Sequence, residues 1–258
     1  MYQTAKKFPK PIRELILGFA LGGAVILNGL RGGSRSIGVQ QATLNLWREI
    51  MTRFRTRNAS QQFDQLRGKK HLKLHLGCGP DIRSGWVNMD VFVTPSQSSD
   101  TYVIQYDLRQ PIPLENDSLS YVYSSHFFEH LSCDDGYQLM KDAYRWLEKG
   151  GIFRIALPDF ESVFKAYING DRAYFDIMEK ADIVPKSPFQ NGKLALVDFV
   201  NYSVYQVDQH KCIYDTETLI DLLKSIGYST VKQSDFDANV DVNTDLRKQY
   251  TFYVEAQK

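Results

Sequence analysis

Residues 72–90 read LKLHLGCGPDIRSGWVNMD. Leu72 to Leu76 alternates apolar and polar positions, the period-two pattern of a half-buried strand, and runs straight into Gly77-Cys78-Gly79-Pro80. A glycine-rich turn after a strand lets backbone approach a ligand closely. Trp86 to Asp90 is a second strand that ends in an acid. An acid at the tip of the strand that follows a glycine turn can take both hydroxyls of a ribose. The stretch therefore predicts a nucleoside site at the carboxyl edge of a parallel sheet.

The pattern continues outward from it. Tyr102 to Tyr106 reads as a third strand, closed by Asp107-Leu108, and Ser120 to Ser124 as a fourth, followed by Ser125 and the run HFFEHL, His126 to Leu131. A helix is expected from about Gly136 to Glu148, stopped at Lys149-Gly150-Gly151, where basic charge and glycine suit a helix C-terminus. Ile152 to Leu157 is the fifth strand, closed by Pro158-Asp159. Strands alternating with helices predict an α/β, doubly wound parallel sheet. Gly79 and Asp90 are 11 positions apart, against about 20 in a dinucleotide fold. The first crossover helix must then shrink to a turn or two. A pyrophosphate needs the N-terminus of a full first helix, so the short connection disfavours a nicotinamide dinucleotide.

These residues resemble the class I S-adenosylmethionine-dependent methyltransferases, in particular the type 11 group. The likeness rests on Leu74-His75-Leu76-Gly77-Cys78-Gly79, Gly85 to Asp90, Asp107-Leu108, Glu129-His130-Leu131 and Gly150-Gly151, and it extends from about residue 71 to the end. It implies a seven-stranded, mostly parallel Rossmann-like sheet whose last strand is antiparallel. Thr216 to Ile226 would be the final helix, and Tyr228 to Phe236 and Tyr250 to Ala256 the final strands. It also implies S-adenosylmethionine as cofactor and assigns roles to residues. Gly77 and Gly79 would line its methionine part, with Cys78 giving only its backbone. Asp90 would take the ribose, Asp107 the adenine amino group, and Leu108 a backbone contact. Ser125 and His126 would lie beside the transferable methyl, His126 as general base or as a passive wall, with Glu129 and His130 bracing the loop. Simpler roles stand beside these: a tight turn for the glycines, a surface acid for Asp90, and a helix or turn cap for Asp107.

His126-Phe127-Phe128-Glu129-His130 also spells H-x-x-E-H, in which two histidines on one helix face can hold zinc with the glutamate as base. A zinc hydrolase is thus one alternative, although no third ligand is indicated and no metal is expected. A non-catalytic module that binds a nucleotide or a partner is another. The acceptor, a small molecule, sugar or lipid-linked compound methylated on oxygen or nitrogen, should meet the insertion 159–208. Phe160, Phe164, Tyr167, Tyr174, Phe175, Phe189, Phe199, Tyr202 and Tyr205 lie there, as an apolar lid or as a helical core. His210 and Tyr214 are secondary candidates.

Charge is unevenly spread. Residues 1–70 hold 13 Lys/Arg and three acids in a 258-residue chain whose net charge is +1, so the rest of the chain is acidic. Leu15 to Leu30 carries no charge but at 1.5 Å per residue falls short of the ~30 Å bilayer core. Thr43 to Arg57 places Leu44, Trp47, Ile50, Met51 and Phe54 at helical spacing among arginines. The reading is an attachment arm, 1–70, whose residues 1–58 meet an anionic membrane surface, and a catalytic domain, 71–258, at the cytoplasmic face. No nucleic-acid motif accompanies the charge. Cys78, Cys133 and Cys212 are odd in number and widely spaced, so no disulfide framework is expected.

Overall fold

The computed structural model describes residues 59–98, 100–185 and 193–258, together with Leu46, Glu49, Ile50, Thr52, Arg53 and Thr56. The chain divides into two compact units, Met1–Phe54 and Arg55–Lys258. The apolar run 15–30 and most of the amphipathic segment 43–57 lie outside the described residues. Among the described residues no helix is long and apolar enough to cross a membrane.

The second unit is built on one sheet, ordered β3-β4-β2-β1-β5-β6-β8-β7. Its strands are β1 (Leu72–Leu76), β2 (Val87–Asp90), β3 (Ser96–Gln97), β4 (Tyr102–Gln105), β5 (Leu119–Ser125), β6 (Leu147–Pro158), β7 (Thr230–Ser234) and β8 (Thr251–Gln257). β1 lies parallel between β2 and β5, with Leu74 opposite Val87 and Val122. β8 runs antiparallel to both β6 and β7. The expected seven strands are present. The eighth, β3, is a two-residue antiparallel edge on β4, too short to leave a periodic signal in sequence. Leu74, Leu76, Val87, Met89, Ile104, Val122, Phe153 and Ile155 bury their side chains in the main core.

The helix before β6 spans Cys133–Trp146 and buries Leu139, Met140, Ala143 and Trp146, the helical stripe that faces the sheet. It starts earlier than expected because Ser132 Oγ accepts the Asp135 amide at 3.1 Å and so caps it. It also stops earlier, since Leu147 already enters β6. The connection from β1 to β2 contains no helix at all, not even the turn or two expected. Asn88 holds it instead: its Oδ1 accepts the Arg83 amide at 2.9 Å, and its Nδ2 donates to the Arg83 carbonyl at 3.0 Å. One fully buried amide thus does the bracing that a crossover helix would otherwise supply.

Residues 59–66, assigned to the arm, belong to the core: Ala59, Phe63 and Leu66 are buried, and the Phe63 ring meets Tyr106 edge-on at 5.1 Å. The insertion has a small core of its own, in which Val163, Phe175, Met178 and Phe199 pack with Tyr250, and the Phe175 and Phe199 rings stack at 4.7 Å. Those two aromatics are therefore core, whereas Phe160 and Tyr202 line a cavity and Phe189 lies outside the described residues.

The expectation of no disulfide is overturned. Cys133 and Cys212 are bonded, with Cα atoms 5.4 Å apart, while Cys78 stays a buried free thiol. Their sequence separation of 79 hides a proximity that only the fold creates. The bond pins the chain leaving the insertion to the first residue of the helix Cys133–Trp146.

Candidate active site at the carboxyl edge of the sheet

Both glycines of the turn after β1 take positive φ, but their surroundings differ. Gly79 has φ +50°, and a Cβ there would meet nothing within 4 Å, so open space lies before it. Its amide donates to Asp90 Oδ2 at 3.0 Å, and the Phe92 amide donates to Asp90 Oδ1 at 2.8 Å. Gly79 and Asp90 together border a cavity of about 630 Å³ with Pro80, Ile82, Val93 and Val103. Gly77, with φ +65°, is glycine for another reason: a Cβ would meet Phe127 Cγ at 2.2 Å. It seats the Phe127 ring and does not border that cavity. Cys78 is buried with Val93 and Val103, its amide donates to the Met89 carbonyl at 3.1 Å, and burial pushes its thiol up to about 12.

Asp107 and Leu108 are not brought to the cavity. Arg109 grips the Asp107 carboxylate with Nε on Oδ1 and Nη2 on Oδ2, both at 2.8 Å. The Arg109 amide donates to Asp107 Oδ1 at 3.1 Å, which is the turn-capping role, and the Leu108 side chain is buried in the core. A carboxylate so engaged is a poor acceptor for an adenine amino group.

Ser125 ends β5 opposite Ala156. His126 then takes φ +49° while its amide still donates to the Ala156 carbonyl at 2.9 Å, a turn that throws its ring off the sheet edge. His126 Nε2 lies 2.7 Å from Thr251 Oγ1, and Nδ1 lies 3.6 Å from Glu129 Oε1. Only Phe128–His130 is helical, a single 3-10 turn, so His126 and His130 do not share the helix face that a zinc hydrolase requires. His126 borders a second cavity, of about 280 Å³, with Glu129, His130, Phe160, Tyr202 and Arg247.

Glu129 is fully buried, and desolvation pushes its carboxyl up to about 8. Neither of its side-chain oxygens has a hydrogen-bond partner. Its backbone carbonyl accepts the Lys211 amide at 2.7 Å, which brings in the chain returning from the insertion. That chain delivers His210, whose ring centre is 5.0 Å from that of His130. Burial lowers the basicity of both imidazoles. Sequence reasoning left Glu129 and His130 as braces and His210 as secondary; the signal that joins them is the return of the chain beside the turn after β5, invisible until the fold is known.

Residues 74–155, from within β1 into β6, match the family model described as a methyltransferase domain. The chain carries an S-adenosylmethionine-dependent methyltransferase domain. Solved structures that resemble it include an Archaeoglobus fulgidus methyltransferase, at 16% identity and TM-score 0.42 over 82% of this chain and 94% of that one. A Haloferax volcanii putative methyltransferase, solved in complex with the Trm112 activator, gives 13%, 0.47, 81% and 92%. A Thermotoga maritima possible histamine N-methyltransferase gives 14%, 0.41, 83% and 95%. No curated protein matches the chain.

The methyltransferase takes S-adenosylmethionine as its donor. The residues fit that molecule. The donor carries no phosphate, so the missing first helix removes nothing it needs. The Asp90 carboxylate, at the border of the larger cavity, keeps lone pairs beyond those used by Gly79 and Phe92 and can accept ribose hydroxyls.

Proposed function

We propose that this methyltransferase methylates an oxygen or nitrogen of a small, sugar or lipid-linked acceptor seated in the 280 Å³ cavity, with the donor held at Gly79 and Asp90. Bound S-adenosylmethionine supplies an electrophilic methyl group on its sulfonium. The observation that carries the reading is that β1 and β5 are adjacent parallel strands, and the turn beyond each borders one of the two cavities. The Phe127 ring, packed on Gly77, joins the two turns. Proximity of two bound reactants is the main service such an enzyme renders.

His126 is the proposed base. Its position at the acceptor cavity, with Thr251 Oγ1 on one nitrogen and Glu129 facing the other, suits it to take the proton that the acceptor loses as the new bond to carbon forms. Arg247 gives the cavity a cation, which favours an acceptor bearing a carboxylate or phosphate. His126→Ala is expected to lower turnover at least about tenfold while leaving donor affinity within about twofold. Calorimetry with S-adenosylhomocysteine beside steady-state assays checks this, and an equal loss of both would make His126 a structural residue.

For the basic N-terminal region we propose attachment to an anionic membrane surface, with the catalytic unit at the cytoplasmic face, where its donor is made. The 13 Lys/Arg and the uncharged run Leu15 to Leu30 support that reading.

A further inference from the structure

We propose that Glu129, His130 and His210 form a site for one divalent transition-metal ion whose open coordination position faces the acceptor cavity. One ligand atom from each of the three lies within 4.8 Å of the others, an open version of the roughly 3.4 Å spacing that tetrahedral ligands adopt around zinc-like ions. Both imidazoles are already oriented for ligation. His130 Nδ1 lies 3.1 Å from the Gln209 carbonyl and His210 Nδ1 lies 2.7 Å from the Ser203 carbonyl. Each Nδ1 therefore carries the proton and each Nε2 presents its lone pair, the arrangement seen when a backbone carbonyl fixes a metal-bound histidine.

The second observation does not depend on the spacing of the three ligand atoms. Glu129 is completely buried, yet no donor lies within hydrogen-bond distance of either carboxylate oxygen, His126 Nδ1 standing off at 3.6 Å from Oε1. Buried polar atoms without partners are rare and costly, and a protonated carboxyl would only add a hydroxyl that also lacks an acceptor. A cation placed between Glu129 and the two Nε2 atoms satisfies all of them at once. Two imidazoles and one carboxylate suit a zinc-, cobalt- or manganese-class ion, and three protein ligands leave a position for an outside oxygen. That position would hold an acceptor hydroxyl or carboxylate, a role that rests on the methyltransferase reading. The disulfide Cys133–Cys212 and the bond from the Lys211 amide to the Glu129 carbonyl hold the His210 segment against the Glu129 turn.

The test uses the full-length chain, stripped with chelator and titrated with Co²⁺ alone. One equivalent should bind and give the visible d–d absorption of a low-coordinate site, and acetohydroxamate, a simple oxygen chelator, should shift that absorption. Glu129→Gln and His210→Ala should each weaken Co²⁺ by more than about 100-fold, while His71→Ala, an exposed histidine paired with Glu148, should not. S-adenosylhomocysteine binding is measured on the same samples and reports both folding and the donor site. Folded wild-type protein that binds S-adenosylhomocysteine but no Co²⁺ overturns the metal site and spares the methyltransferase reading. Co²⁺ bound by Glu129, His130 and His210 without S-adenosylhomocysteine binding does the reverse. Binding that survives both variants, or a band that acetohydroxamate leaves unmoved, also overturns the proposal.

Discussion

Gly77 and Gly79 both take positive φ, yet one faces a ring and the other faces open space. Gly77→Ala would drive a methyl group into Phe127 and add left-handed strain, so it should destabilise the fold by about 2 to 4 kcal/mol in urea unfolding. Gly77→Ala combined with Phe127→Ala should recover the overpacking part. Gly79→Ala meets no atom and should cost only the ~1 to 2 kcal/mol of its backbone conformation. Equal costs at the two positions would contradict this assignment. From sequence both were read as cofactor glycines, because a glycine that admits a ligand and one that admits a neighbouring ring look alike. The place of Asp90 was legible, since WVNMD reads as a strand that ends in an acid. The turn cap at Asp107 was legible as its alternative role, whereas the two-point grip of Arg109 on the carboxylate is a contact that spacing alone does not reveal.

The strands were legible as elements because each carries its own period: β1 is Leu72–Leu76 as read, and the helix Thr216–Ile226 also coincides. The missing first helix and the edge strand β3 were not, since one depends on Asn88 side-chain bonds and the other on a two-residue pairing. The same holds for a tie across the far side of the sheet. Arg154 on β6 is 2% exposed, and it donates through Nε to Asp241 Oδ1 at 2.9 Å, through Nη1 to Glu255 at 3.0 Å and Ser234 at 2.9 Å, and through Nη2 to the Asp235 carbonyl at 2.7 Å. It binds β7, β8 and the loop after β7 to β6. Arg154→Met should leave Asp241 buried and unpaired and lower stability by about 3 to 5 kcal/mol. Adding Asp241→Leu should restore most of that loss in the same denaturation experiment. A single variant as stable as the parent would show that the network contributes nothing.

At the scale of the molecule, the charge asymmetry and the sheet point to two parts with different work. The compact units divide between Phe54 and Arg55 rather than at residue 70, because Ala59, Phe63 and Leu66 complete the core. Removing residues 1–54 should therefore leave a folded catalytic unit. The full chain is expected to sediment with vesicles containing phosphatidylglycerol at low salt, and residues 55–258 to stay in the supernatant. A truncated chain that sediments equally would refute the arm. The proximity of Cys133 and Cys212, like that of His130 and His210, belongs to this scale too: residues far apart in sequence meet because the chain leaving the insertion returns beside the turn after β5.

The most direct test of the whole account is equilibrium dialysis of the full-length protein against radiolabelled S-adenosylmethionine, with Asp90→Ala alongside. Saturable uptake of one equivalent is expected, weakened by about 1.5 to 3 kcal/mol in the variant, because hydrogen bonds to a charged carboxylate are lost. Folded protein that takes up no donor, or a variant that binds as tightly as the parent, would contradict the placing of the donor at Gly79 and Asp90.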